Sequence, residues 1–173
     1  MSAAGLIDVA RRLRASGDAI AALVSDVDVE DARWKPSPAK WSILEIVGHL
    51  IEEERDDFRM RLDLTLNRPG EPWPPIDPEG AVRERRFNDR ILADLVQEFL
   101  AERDRSLAWL RALTSPDWTR AYDHPTAGRL TAASLLFAWA AHDLLHVRQI
   151  ATVRYARLAE RASPHGLDYA GTW

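Results

Sequence analysis

Apolar residues return at intervals of three and four along four long stretches, and proline-rich breaks separate the stretches. No segment sustains the two-residue alternation of a half-buried strand. That pairing of long helical periodicity with hard breaks constrains the chain to an all-α architecture. Leu6, Val9, Ala10, Leu13, Ile20, Leu23 and Val24 mark a first amphipathic helix, roughly 4–25. Pro36 and Pro38 keep the next stretch out of a helix interior. Ser42-Ile43-Leu44-Glu45 reads as a capping box opening a second helix, 42–66, on Ile43, Ile46, Val47, Leu50, Ile51, Phe58, Leu62 and Leu66. Five prolines and two glycines within 67–80 make a loop. The pattern through Phe87, Ile91, Leu95, Phe99, Leu107 and Leu110 predicts an unbroken third helix, 79–113. A loop then runs to Arg129, and a strongly apolar fourth helix spans 131–157 before an irregular tail.

Four such helices imply a four-helix bundle with long connecting loops. At 173 residues the chain reads as one domain, 1–173, long enough to bury its own core. There is no cysteine, so neither a disulfide nor a thiolate ligand is available. Lys and Arg number 23 against 27 Asp and Glu, which gives no basic footprint for nucleic acid. No apolar run reaches the roughly 20 residues of a membrane span, and the first residues lack the form of a signal peptide. The expectation is a cytoplasmic protein with no nucleic-acid or membrane partner.

The chemistry concentrates in histidine. His142 and His146 are four residues apart, on one helical face and one turn from each other. By itself such a pair is as simply explained by hydrogen-bonded core histidines. His49, on the inward side of the second helix beside Gly48, adds a third imidazole from a facing helix. Three nitrogens can hold a divalent ion and leave a coordination position open, which is the catalytic rather than the structural pattern. Imidazole ligands suit Zn, Ni, Fe or Cu. Glu52, Glu53 and Glu54 read most simply as a solvated face, with Glu53 the candidate catalytic group that could orient a ligand or act as a base. Gln149 could line the pocket, and Arg148 or Arg55 could hold a substrate carboxylate. His124 and His165 read as loop and tail residues, and Trp41 and Trp139 as pocket walls or core.

Trp41–Leu50, Gly128–Thr131 and His142–Ile150 together resemble the DinB/YfiT-like superfamily of metal-binding four-helix bundles, over about 5–157. The resemblance implies that His49, His142 and His146 bind a divalent metal, Zn or Ni first. It also implies a thiol S-transferase-like activity toward a small electrophile, with a low-molecular-weight thiol such as bacillithiol or mycothiol as cosubstrate, and a homodimer. Metal-dependent hydrolysis and a non-catalytic metal- or small-ligand-binding bundle are the alternatives. A metal-free structural dimer is a further one.

Overall fold

The computed structural model describes residues 1–173. Helix α1 (Ala3–Leu23) starts where the Ser2 hydroxyl accepts from the Gly5 N–H. A short α2 (Val29–Arg33), capped by Asp28, occupies part of the stretch that the prolines leave open. Helix α3 (Ile43–Glu52) begins on the expected capping box: Ser42 Oγ accepts from Glu45 N–H, and Glu45 Oε2 accepts from Ser42 N–H. The same Glu45 carboxylate takes Lys35 and Asn88, so one cap ties two loops to α3. From Glu53 to Phe58 the helix widens to π geometry, then continues as α4 (Arg59–Asn67). After the proline-rich loop come α5 (Pro78–Arg85) and α6 (Leu92–Ala112). A hairpin of β1 (Ala121–His124) and β2 (Gly128–Thr131) leads into α7 (Ala132–Ala162), which Thr131 caps.

Four long helical units form the bundle: α1, α3 with α4, α6 and α7. Helix α1 packs on α6 and α7, α3 on α6, and α4 on α7. One apolar cluster joins Ile20, Ile46, Leu50, Leu95, Phe99 and Ile150. A second joins Leu13, Leu62, Leu107, Leu110, Leu136 and Trp139. Among the described residues no helix is long and apolar enough to cross a membrane.

Three expectations need correction. The helix expected over 79–113 is two helices. Arg86 adopts a left-handed backbone (φ 52°), a single 3-10 turn covers Phe87–Asp89, and α6 starts afresh at Leu92. The break turns Phe87 into the core against Gly48. A Cβ at Gly48 would lie 2.3 Å from the Phe87 ring, so glycine lets the two elements close. Ile91, counted as a core position on the continuous pattern, is 65% exposed. Second, the loop before the last helix holds a two-stranded sheet, pairing Ala121 with Thr131 and His124 with Gly128. Gly128 takes the positive φ (74°) that this short turn requires. Third, the last helix runs five residues past the expected end at 157, because Arg157 and Arg161 near its terminus pair with Asp31 of α2.

Candidate metal centre

His49 lies on α3, one turn before the π segment. His142 and His146 lie on α7, which faces it. The bundle brings one nitrogen of each ring to within 4.8 Å of the others. The ring centroids of His49 stand 5.4 Å from His142 and 4.8 Å from His146. The Nε2 atoms of His142 and His146 are 3.1 Å apart. Trp41 packs on His49 at 4.8 Å, and Phe58, stacked on Trp139, closes the other side at 5.2 Å from His142. These aromatic walls exclude water from much of the cluster.

Protonation chemistry bears on what the cluster could hold. His146 Nδ1 lies 2.7 Å from Gln149 Oε1 and can only donate there, so its Nε2 carries a lone pair. His142 Nδ1 is buried without a partner in either tautomer, so it does not decide between donation from Nε2 to that lone pair and a proton on Nδ1. If His142 carries its proton on Nδ1, two lone pairs face each other at 3.1 Å. A cation between the rings resolves the second arrangement, and neutral imidazole is the form that binds one. Burial, with the neighbouring imidazoles adding to it, pushes His49 down to about 3. Burial and His146 do the same to His142, also to about 3. Burial lowers His146 as well, against the opposing hydrogen bond that its Nδ1 donates to Gln149 Oε1. All three rings are therefore uncharged at neutral pH, and the donor set fits a divalent ion.

Beside the rings stands Glu53. Its carboxylate oxygens are 3.6 Å from His49 Nδ1 and 3.9 Å from His142 Nε2. Burial, with Asp57 alongside, pushes its carboxyl up to about 8. Asp57 is raised by burial too, and Arg61 Nε at 2.9 Å opposes the rise. The two carboxyls share a hydrogen bond, so they titrate as a pair.

The expectation of a solvated Glu52–Glu54 face does not hold: Glu53 and Glu54 are both buried, and Glu52 is partly so. Consecutive residues of a regular α-helix point about 100° apart. The π segment lets Glu53 face the histidines while Glu54 faces the core. There Arg103 donates from Nε to Glu54 Oε1 at 2.8 Å and from both terminal nitrogens to Asp143 at 2.7 and 2.9 Å. Trp139 Nε1 donates to the same Glu54 oxygen at 2.8 Å. This network anchors the residue after Glu53 and the residue after His142. On its outer side the π segment is held to α6 by Arg55 on Glu98 and by Arg59 on Glu102 and Ser106. Arg55 is thereby engaged away from the cluster.

Other sequence candidates fall elsewhere. His124 closes the hairpin, its Nδ1 accepting from the N–H groups of Thr126 and Ala127. The His165 backbone N–H donates to the Ala162 carbonyl in the tail. Asp57, Arg61, Glu54, Arg103 and Phe58 were not legible as site residues. Each depends on the π segment or on a partner far along the chain, and an acidic run with no apolar member gives no sign of burial.

Two clefts meet the cluster. One, of about 160 Å³, is bordered by His49, Glu53, Asp57, Asp77 and Val82. The other, of about 500 Å³, is bordered by Trp41, His142, His146, Arg148 and Gln149. The centre is thus open to small molecules.

A helical bundle with three convergent imidazoles and a buried carboxylate at their side defines the class: a fold with a candidate divalent-metal site. The DinB superfamily model matches residues 12–150, and the chain belongs to that superfamily. Its fold is similar to that of YfiT from Bacillus subtilis, at a TM-score of 0.79 and 17% identity over 90% of this chain and 89% of that one. YfiT is described as a probable metal-dependent hydrolase with an unusual four-helix bundle topology. A conserved protein from Enterococcus faecalis is similar at a TM-score of 0.64 and 16% identity, over 90% of this chain and 97% of that one. No curated protein sequence matches the chain significantly.

Proposed function

We infer that the protein is a divalent-metal-dependent hydrolase of small molecules, with His49, His142 and His146 holding the ion and Glu53 serving as the proton-transfer group. The observation that carries this reading is the convergence of three imidazole nitrogens within 4.8 Å, with a buried carboxylate at 3.6 and 3.9 Å from two of the rings. The description of YfiT supports the same reaction class. When bound, such an ion supplies Lewis acidity and lowers the pKa of an adjacent water toward neutrality.

The chain's own residues do the rest. Gln149 fixes the His146 tautomer, so Nε2 is the ligating atom. Glu53, at its carboxylate oxygens, takes the proton released by the nucleophile and returns it to the leaving group. Asp57 shares that proton, and Arg61 balances the charge behind it. Trp41 and Phe58 keep bulk water off the rings. A thiol would lose its proton to Glu53 as a water does, so thiol S-transfer is separated from hydrolysis by one variable, the requirement for added thiol.

The test is metal content and turnover of untagged protein, assayed on small esters and amides with and without thiol. About one Zn or Ni per chain is expected, lost in the His142→Ala, His146→Ala double variant. Glu53→Gln should keep the metal and lose about 100-fold or more in kcat. A protein that takes up neither Zn nor Ni refutes the site. Turnover that depends wholly on thiol replaces the hydrolase reading with the transferase. A homodimer belongs to the same proposal: Phe137 and Leu144, seven residues apart on α7, are both more than half exposed, and a second copy would cover them. Sedimentation as a monomer at micromolar concentration overturns that part.

A further inference from the structure

The two clefts that meet at the histidines carry opposite charge. The smaller one is bordered by Glu52, Glu53, Asp56, Asp57 and Asp77, with no lysine or arginine among its lining. The larger one is bordered by Lys40 and Arg148, with no acidic residue among its lining. Its other walls include the apolar faces of Trp41, Leu145 and Val153, the polar Gln149 and Thr152, and the two histidines of α7. In a chain this rich in ion pairs the state of those two cations is informative. Lys35 is engaged by Glu45, Arg55 by Glu98, Arg157 by Asp31 and Arg161 by Asp31. Lys40 and Arg148 have no carboxylate partner among the described residues. Arg148 is two residues beyond His146 and one before Gln149, which holds that ring, so its position relative to the cluster is set by the helix itself.

We propose that the larger cleft is a substrate subsite for a small molecule made of an apolar body and an oxyanion, a carboxylate or a phosphate ester. Arg148 and Lys40 hold the oxyanion at the rim, and the body lies on Trp41 toward the histidines. The proposal deepens the hydrolase reading by naming a substrate class, yet its claim is about binding and stands apart from turnover. The planar fork of Arg148 suits carboxylate and phosphate oxygens alike, and the Lys40 ammonium adds a mobile point charge. An apolar pocket with a few convergent polar groups is the usual form of a small-molecule site. The acidic cleft disfavours the same anion, so the charge pattern also selects which of the two clefts takes the oxyanion.

The test compares phenylacetate, phenyl phosphate and phenylacetamide as probes, bound to the protein as purified and followed by chemical shifts of the tryptophan indoles. A Trp41→Phe variant assigns the reporting signal. At least one of the two anions should bind about tenfold or more tightly than the amide, the size of one charge-assisted hydrogen bond at a partly exposed site. Which anion wins identifies the oxyanion. The Lys40→Gln, Arg148→Gln double variant should lose the discrimination while keeping its metal content and its affinity for the amide. Equal binding of all three probes overturns the proposal. So does discrimination that survives in the double variant, because the anion is then held by something else in the centre, a bound ion included. Anion selectivity without turnover of any ester or amide leaves this subsite standing and removes the hydrolase reading. Turnover without anion selectivity does the reverse.

Discussion

Replacing Arg103 with Met tests the buried network behind the site. Arg103, Glu54 and Asp143 each have side chains only 1% exposed. With Arg103 present the three groups sum to one buried negative charge; without it they sum to two, and Glu54 Oε2 already lacks a hydrogen-bond partner. Asp143 also loses both of its guanidinium hydrogen bonds, and the Leu13 carbonyl of α1 loses its Arg103 donor. Removing one partner of a buried ion pair costs about 3–5 kcal/mol, mainly through the uncompensated charge left behind. For a chain of this size that is roughly 6–20 °C in Tm. The loss should grow with pH. Burial already raises the Asp143 carboxyl and Arg103 opposes the rise, so without the guanidinium Asp143 binds its proton more tightly than in the unfolded chain and stability falls as pH rises through its folded pKa. Urea denaturation of Arg103→Met and wild type at pH 5 and pH 8 reads both effects. The triple variant Arg103→Met, Glu54→Gln, Asp143→Asn removes all three charges and should recover most of the loss. A single-variant cost below about 1 kcal/mol, or a triple variant no better than the single, refutes the reasoning that buried charge is what Arg103 balances.

Acid should destabilise the metal-stripped protein through its histidines. His49 and His142 fall from 6.5 to about 3 on folding, so the unfolded chain binds more protons between those values. The stability they contribute is present above pH 6.5 and is lost as pH falls toward 3, at most on the order of 5 kcal/mol per ring. The pH slope of the urea midpoint should therefore be steeper in wild type than in His49→Gln, His142→Gln, and equal slopes count against buried neutral rings. Glu53 works in the opposite sense. Its folded value near 8 exceeds its ordinary 4.5, so stability is lost as pH rises between them, and Glu53→Gln should outlast wild type at pH 8 more than at pH 5. Gly48→Ala places a methyl 2.3–2.5 Å from three Phe87 ring carbons. Despite a gain of about 1 kcal/mol in helix propensity, it should cost about 1–3 kcal/mol net, read by thermal denaturation and partly recovered by adding Phe87→Leu. A stabilised Gly48→Ala shows that the glycine is not there for close approach.

Local chemistry settled much of this protein before any folding. The three-and-four spacing, the Ser42–Glu45 cap and the proline-rich breaks fix helical segments because each acts within one or two turns of chain. His142 and His146 share a face for the same reason, and the residues around His49 and His142 carried the resemblance to the superfamily. A glycine inside a helix costs about 1 kcal/mol and is a local sign of close packing, but Gly48 does not name its partner, Phe87, which lies 39 positions further along. What local pattern cannot carry was decided by tertiary contact. The turn at Arg86–Asp89 contains no proline or glycine. It forms because Phe87 gains the core at Gly48 and Asn88 bridges Ser42 and Glu45 across the bundle. The π segment forms where Arg55, Arg59 and Arg103 take hold of carboxylates and a hydroxyl from different helices. That widening turns Glu53 and Glu54, which an acidic run alone would leave in water, into buried groups on two sides of one helix. Hydrophobic period reports where a helix faces the core. Only the packed bundle brings together the charges that make a polar face worth burying, and the candidate site was assembled by those long-range pairs.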